Sequence, residues 1–71
     1  MAERTPAQVA EMLRCARREL AFRRQVYPRM VQKGRMDTPT AGRETQAMAD
    51  IVGLLEEMAG GTLPGMDVAT R

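Results

Sequence analysis

Three side chains in the middle of this chain are spaced for ligand chemistry: Arg23, Arg24 and Tyr27. On a helix, separations of three and four residues bring both guanidinium groups alongside the phenol ring. A planar base can stack on tyrosine or arginine, and arginine can grip phosphate oxygens through two parallel hydrogen bonds. Arg29, Lys33 and Arg35 add charge from the next turn and the bend beyond it, and Arg43 adds charge from the following segment. Together these residues suit an anionic, nucleotide-like ligand. A plainer reading competes with it. Glu19 and Arg23 are spaced as an i, i+4 ion pair, arginine–tyrosine stacking is common, and Tyr27 can simply fill an interface between subunits.

Other chemistries lack their parts. The 71 residues include no histidine and one cysteine, Cys15. A disulfide within the chain is excluded, and a zinc site of the usual ligands is not expected. Cys15 stands among Arg14, Arg17 and Arg18 without a partner base, so a buried, inert cysteine on a helix face is the preferred reading. Glu56 and Glu57 are adjacent on a helix and diverge, so they form no acid–base pair. Gly60-Gly61 follows a helix instead of preceding one and reads as a stop, not a phosphate loop. The expectation is a protein that is not an enzyme and carries no cofactor and no metal.

The elements that must position the central residues are helical. Thr5-Pro6-Ala7-Gln8 combines an N-cap, a proline suited to the first turn and the second half of a capping box. Val9, Leu13, Ala16, Leu20, Tyr27 and Val31 recur near heptad spacing, and a second stripe follows Met12, Cys15, Phe22, Val26 and Met30. That face is wider than one partner helix can cover, which points to another subunit. Pro28 removes an amide hydrogen and crowds the carbonyl of Arg24, so a kink is expected there. Gly34 supplies the left-handed residue that ends the helix. Asp37 or Thr38 caps a second helix with Pro39 in its first turn. Ala41, Met48, Ile51, Val52, Leu55, Met58 and Ala59 form its apolar positions, and Gly42 and Gly53 could allow close backbone approach. The expected helices span residues 6–33 and 38–59, within a hairpin domain of residues 1–61. Residues 62–71 contain Pro64 and Gly65 without periodicity and read as a flexible tail.

The charge order adds direction. Net charge is +2 overall, yet residues 14–43 carry nine basic side chains against Glu19 and Asp37. The short connection forces an antiparallel hairpin, placing residue i of the first helix roughly opposite residue 71 − i of the second. Arg14 then falls level with Glu57, Arg17 and Arg18 lie near Glu56, and Tyr27 lies level with Glu44. The cations from Arg23 to Arg43 have only Asp37 and Glu44 nearby, so positive charge collects at the bend. A nucleic acid ranks below a small ligand, because the basic residues are scattered around the helix and only two aromatics are present. The methionines could form an adaptable protein-binding surface, although core packing is their commoner use.

The run RRQVYPRMVQKGRM at residues 23–36, with Arg43-Glu44, Met48, Ile51 and Leu55 after it, resembles a group of small phage and prophage proteins. These share an RRxxYPxxVxxGxM run followed by a second helix with a methionine and isoleucine pattern. The resemblance covers about residues 19–57, and Pro39 and Gly42 depart from the pattern. It implies a phage context more than an activity. Small phage proteins without catalytic residues often inhibit host defence, and some resemble oligomeric sponges that trap nucleotide-derived immune signals in pockets between subunits.

The reading is therefore an all-α antiparallel helical hairpin, with a long kinked first helix, assembled into a homo-oligomeric bundle. It is expected to sequester a nucleotide-like small molecule at subunit interfaces through Arg23, Arg24, Tyr27, Arg29, Lys33, Arg35 and Arg43. The alternatives are inhibition of a host protein through its methionine-rich faces, and nucleic-acid binding. No signal peptide is read after Met1 and no apolar run approaches ~20 residues. The expected location is cytoplasmic, in the host cell if the protein is phage-encoded.

Overall fold

A computed structural model describes residues 4–60 of the chain. They form two α-helices packed against each other: α1 is Pro6–Gln32 and α2 is Thr38–Gly60. The tail expected at residues 62–71 lies outside the described residues.

Helix α1 starts where the capping signals place it. Thr5 sits in extended backbone, and its hydroxyl accepts from the Gln8 amide at 3.1 Å. The Gln8 side chain accepts in return from the Thr5 amide at 2.8 Å. Two of the amides left orphaned at a helix start are thereby satisfied. The helix passes through Pro28 as one element and is not split into two. It stops short of Gly34, whose φ of 74° is the left-handed conformation that glycine adopts without steric penalty. The Gly34 amide donates to the Val31 carbonyl at 3.0 Å, and the Arg35 amide donates to the Met30 carbonyl at 2.9 Å. This pair of bonds closes the last carbonyls in a Schellman turn and sends the chain back.

Between the two alternatives for the second cap, Asp37 takes the role. Its carboxylate accepts from the Thr40 amide at 2.7 Å, and its carbonyl accepts the first helical bond, from Ala41. The Thr40 hydrogen bonds, foremost among the causes, hold the Asp37 carboxyl below its ordinary pKa, with Arg43 adding a smaller pull.

The core is small and lies toward the open end of the hairpin. Val9, Leu13, Ala16 and Leu20 of α1 meet Val52 and Leu55 of α2, with Met48 and Ala49 packed at the edge. The first four residues of the expected heptad stripe are thus buried, while Tyr27 and Val31 are half-buried toward the bend. Much of the second stripe stays outside: Met12 and Phe22 are exposed, and so are Ile51, Leu54 and Met58 on α2. Two expectations are corrected. Cys15 is exposed, because the intrachain core takes the other side of α1. Gly42 and Gly53 do not mark close approach, since an added Cβ at either would meet nothing within 4 Å. Among the described residues, no helix is long and apolar enough to cross a membrane.

Candidate functional site

The bend end of the hairpin holds an open groove of about 580 Å³ between the helices. Arg23, Arg24, Tyr27, Pro28, Val31 and Gln32 form its α1 wall, and Thr38, Ala41, Gly42, Thr45 and Gln46 form the other. The α1 wall follows from helical spacing. The α2 wall is made of small and short polar residues three and four positions apart, which hold the facing surface back and leave room. Gly42 adds to it, having open space where a side chain would stand.

Arg23 is the structural member of this wall. Its Nε donates to Glu19 Oε2 at 2.9 Å, and its Nη1 donates to the Glu44 carbonyl at 2.7 Å. The Glu44 carboxylate lies 3.5 Å from the same nitrogen. The guanidinium carbon stands 5.8 Å from the centre of the Tyr27 ring, one turn on. With its side chain only 17% exposed, Arg23 links α1 to α2 and fixes the ring beside it. The Glu19 hydrogen bond, first among the causes, raises the Arg23 pKa, with burial opposing it and Tyr27, Glu19 and Glu44 adding to it. The guanidinium is therefore charged at every pH the fold meets.

The charge ledger at the bend changes accordingly. Glu44 meets Arg23, where the register had placed it opposite Tyr27. Arg24 is exposed on the groove wall, and among the described residues no hydrogen bond or ion pair engages its guanidinium. Among the described residues, Arg24 is thus the groove's uncommitted cation. Arg29 and Lys33 are exposed on α1 outside the groove lining. Arg35 lines a separate shallow hollow with Gly34, Met36, Asp37 and Thr40. Arg43 is exposed and donates to the Thr40 hydroxyl at 3.3 Å. Of the seven residues expected to bind, the structure gathers Arg23, Arg24 and Tyr27 in one groove and leaves the other four around it.

Toward the open end, one of the three arginines expected to meet the acidic half of α2 does so, and Arg18 donates instead to Cys15 Sγ at 3.5 Å. Arg17 donates to Glu56 at 2.8 Å. Arg14 instead pairs with Glu11 on its own helix. The contributions of Thr38, Thr45 and Gln46 to the groove were missed from sequence, although their spacing with Ala41 and Gly42 marks a slim face opposite Tyr27.

The groove can place a flat, weakly polar body against Tyr27 and Pro28 and an anionic group at Arg24. Arg23, held from two sides, supplies a fixed positive field and not a free hand. Among the described residues no cluster of histidine, cysteine or carboxylates is arranged as a metal site. No protein-family model, curated protein or solved structure matches this chain.

Proposed function

We propose that this protein binds and sequesters an anionic, nucleotide-derived small molecule without transforming it. The observation that carries the reading is the Arg23–Tyr27 stack, 5.8 Å from guanidinium carbon to ring centre, on the wall of a groove that also presents Arg24. Tyr27 offers its ring to a base, Arg24 takes phosphate oxygens, and Arg23 holds the ring in place. Arg29, Lys33, Arg35 and Arg43 act at longer range as a positive surround that draws the anion in. All walls of the groove come from one hairpin, so the contact needs no second subunit; a subunit over the open side would add enclosure.

Calorimetry with a panel of linear and cyclic nucleotides tests this. The expected result is at least one ligand bound tighter than ~1 mM, about −4 kcal/mol. Binding should weaken at least tenfold in Arg24→Ala while helix content is unchanged. Inorganic phosphate serves as the control without a base. If no nucleotide reaches that affinity, the reading is abandoned. A second reading, inhibition of a host protein, then takes its place: Leu54 and Met58 are exposed apolar side chains of α2 that do not line the groove at the bend.

A further inference from the structure

Pro28 changes the backbone of the groove wall as well as its side chains. In an α-helix the carbonyl of residue 24 accepts from the amide of residue 28. Pro28 stands inside α1 and has no amide hydrogen. Its ring also crowds that carbonyl and pushes it outward. Arg24 and Pro28 both line the groove, with Tyr27 and Val31 on the same helical face. The Arg24 carbonyl lies on the backbone between them and so belongs to the groove. Among the described residues no side chain donates to it.

A second acceptor stands on the facing wall. Gln46 lines the groove, and its Nε2 donates to Asp50 Oδ1 at 2.9 Å. An ionised carboxylate only accepts, so the amide nitrogen is the end held there, and Oε1 is what the side chain has left to offer. The charge of the walls narrows what these acceptors can take. Among the described residues no carboxylate lines the groove, while Arg23 and Arg24 both do. An ammonium group would meet two positive charges there and no negative one. The donor that suits the groove is therefore neutral. An aromatic amino group is such a donor. It is uncharged at neutral pH, lies in the plane of a ring that Tyr27 can stack, and carries two hydrogens for two acceptors.

Resting on the reading of this groove as a nucleotide site, we infer that it selects bases bearing an exocyclic amino group, with the Arg24 carbonyl freed by Pro28 as the main acceptor. Calorimetry with adenosine 5′-monophosphate and purine riboside 5′-monophosphate tests this, because the two differ only in the amino group. The first should bind roughly fivefold tighter or more, the worth of about one neutral hydrogen bond. Pro28→Ala restores an amide hydrogen at residue 28, which takes the Arg24 carbonyl back into the helix. Alanine favours the helix at this position, so the variant should stay folded, with circular dichroism as the check. Losing the proline ring weakens both nucleotides alike, so the ratio of their affinities reports on the carbonyl. That ratio should fall at least twofold in the variant.

Equal binding of the pair overturns the inference, and so does a preference that Pro28→Ala leaves unchanged. If other nucleotides bind tighter than ~1 mM and neither of this pair does, the inference fails while the groove remains a nucleotide site. If no nucleotide reaches that affinity, the site itself is lost and the inference falls with it.

Discussion

The two ends of the hairpin use the same pair of helices for different purposes. At the open end, Val9, Leu13, Ala16 and Leu20 close on Val52 and Leu55 to make the apolar core. Toward the bend, Tyr27 and Val31 continue the same stripe but remain half-buried, facing Thr38, Ala41, Gly42 and Thr45 across open space. The open end is joined by apolar area with the Arg17–Glu56 pair at its margin, whereas the bend end is joined by Arg23 reaching both Glu19 and the Glu44 carbonyl. Where facing residues are large and apolar the helices meet and stability accumulates. Where the facing residues are small, the helices leave a groove, and directional polar contacts keep its shape.

This contrast fails if the two ends turn out to carry stability equally. The largest effect is expected at the open end. Leu20→Ala removes buried side chain from a six-residue core and should cost about 2–4 kcal/mol. Chemical denaturation at several protein concentrations measures it and separates the core loss from any effect on association. A loss under about 1 kcal/mol, small for a buried leucine, would show that the end taken as the core is not the source of stability.

A smaller effect is expected at the turn. Gly34→Ala forces a side chain into φ 74° with no contact to offset it, and should cost roughly 1–2 kcal/mol. No clash contributes, because nothing lies within 4 Å of the added Cβ. The same measurement on Gly34→Asn should recover part of the loss, since asparagine tolerates the left-handed region. Equal losses for the two variants would sink the conformational explanation.

The smallest effect concerns acid. The Asp37 carboxyl is held below its ordinary value by Thr40, so the ionised cap favours the folded state. Its contribution is fully present above the unfolded value of about 3.9 and is lost as pH falls through the lower folded value. Asp37→Asn keeps a capping oxygen without a charge. Thermal melts of both proteins through this acidic range should therefore converge as pH falls. Parallel curves would mean that Asp37 ionisation is not linked to folding.

Much of the fold was legible in the sequence because its signals are local. The Thr5–Gln8 box, Gly34 and the Asp37-Thr38 pair each specify a few backbone hydrogen bonds within one turn, with the choice within that pair left to the structure, and the 3.6-residue period identifies the face that must be buried. The single connection then permits only an antiparallel pair. Cys15 was misplaced because periodicity identified two apolar stripes without ranking them; contact with Val52 and Leu55 selected the one through Leu13 and Leu20. The roles of the central arginines were equally hidden. Both were spaced to flank Tyr27, but the register of α2 decides that Glu44 reaches Arg23 and leaves Arg24 facing the groove.

The sequence by itself thus determined two helices, the cap of the first, their turn and the grouping of Arg23, Arg24 and Tyr27 on one stretch of α1. Tertiary structure alone decided which stripe forms the core, which arginine is a strut, and that Ala41, Gly42 and Thr45 hold a groove open in front of the ring. The division has a physical cause. Caps and periodicity are properties of a few consecutive residues, whereas an ion pair between Arg23 and Glu44, 21 residues apart, depends on the rotation and axial shift of one helix against the other, which packing sets.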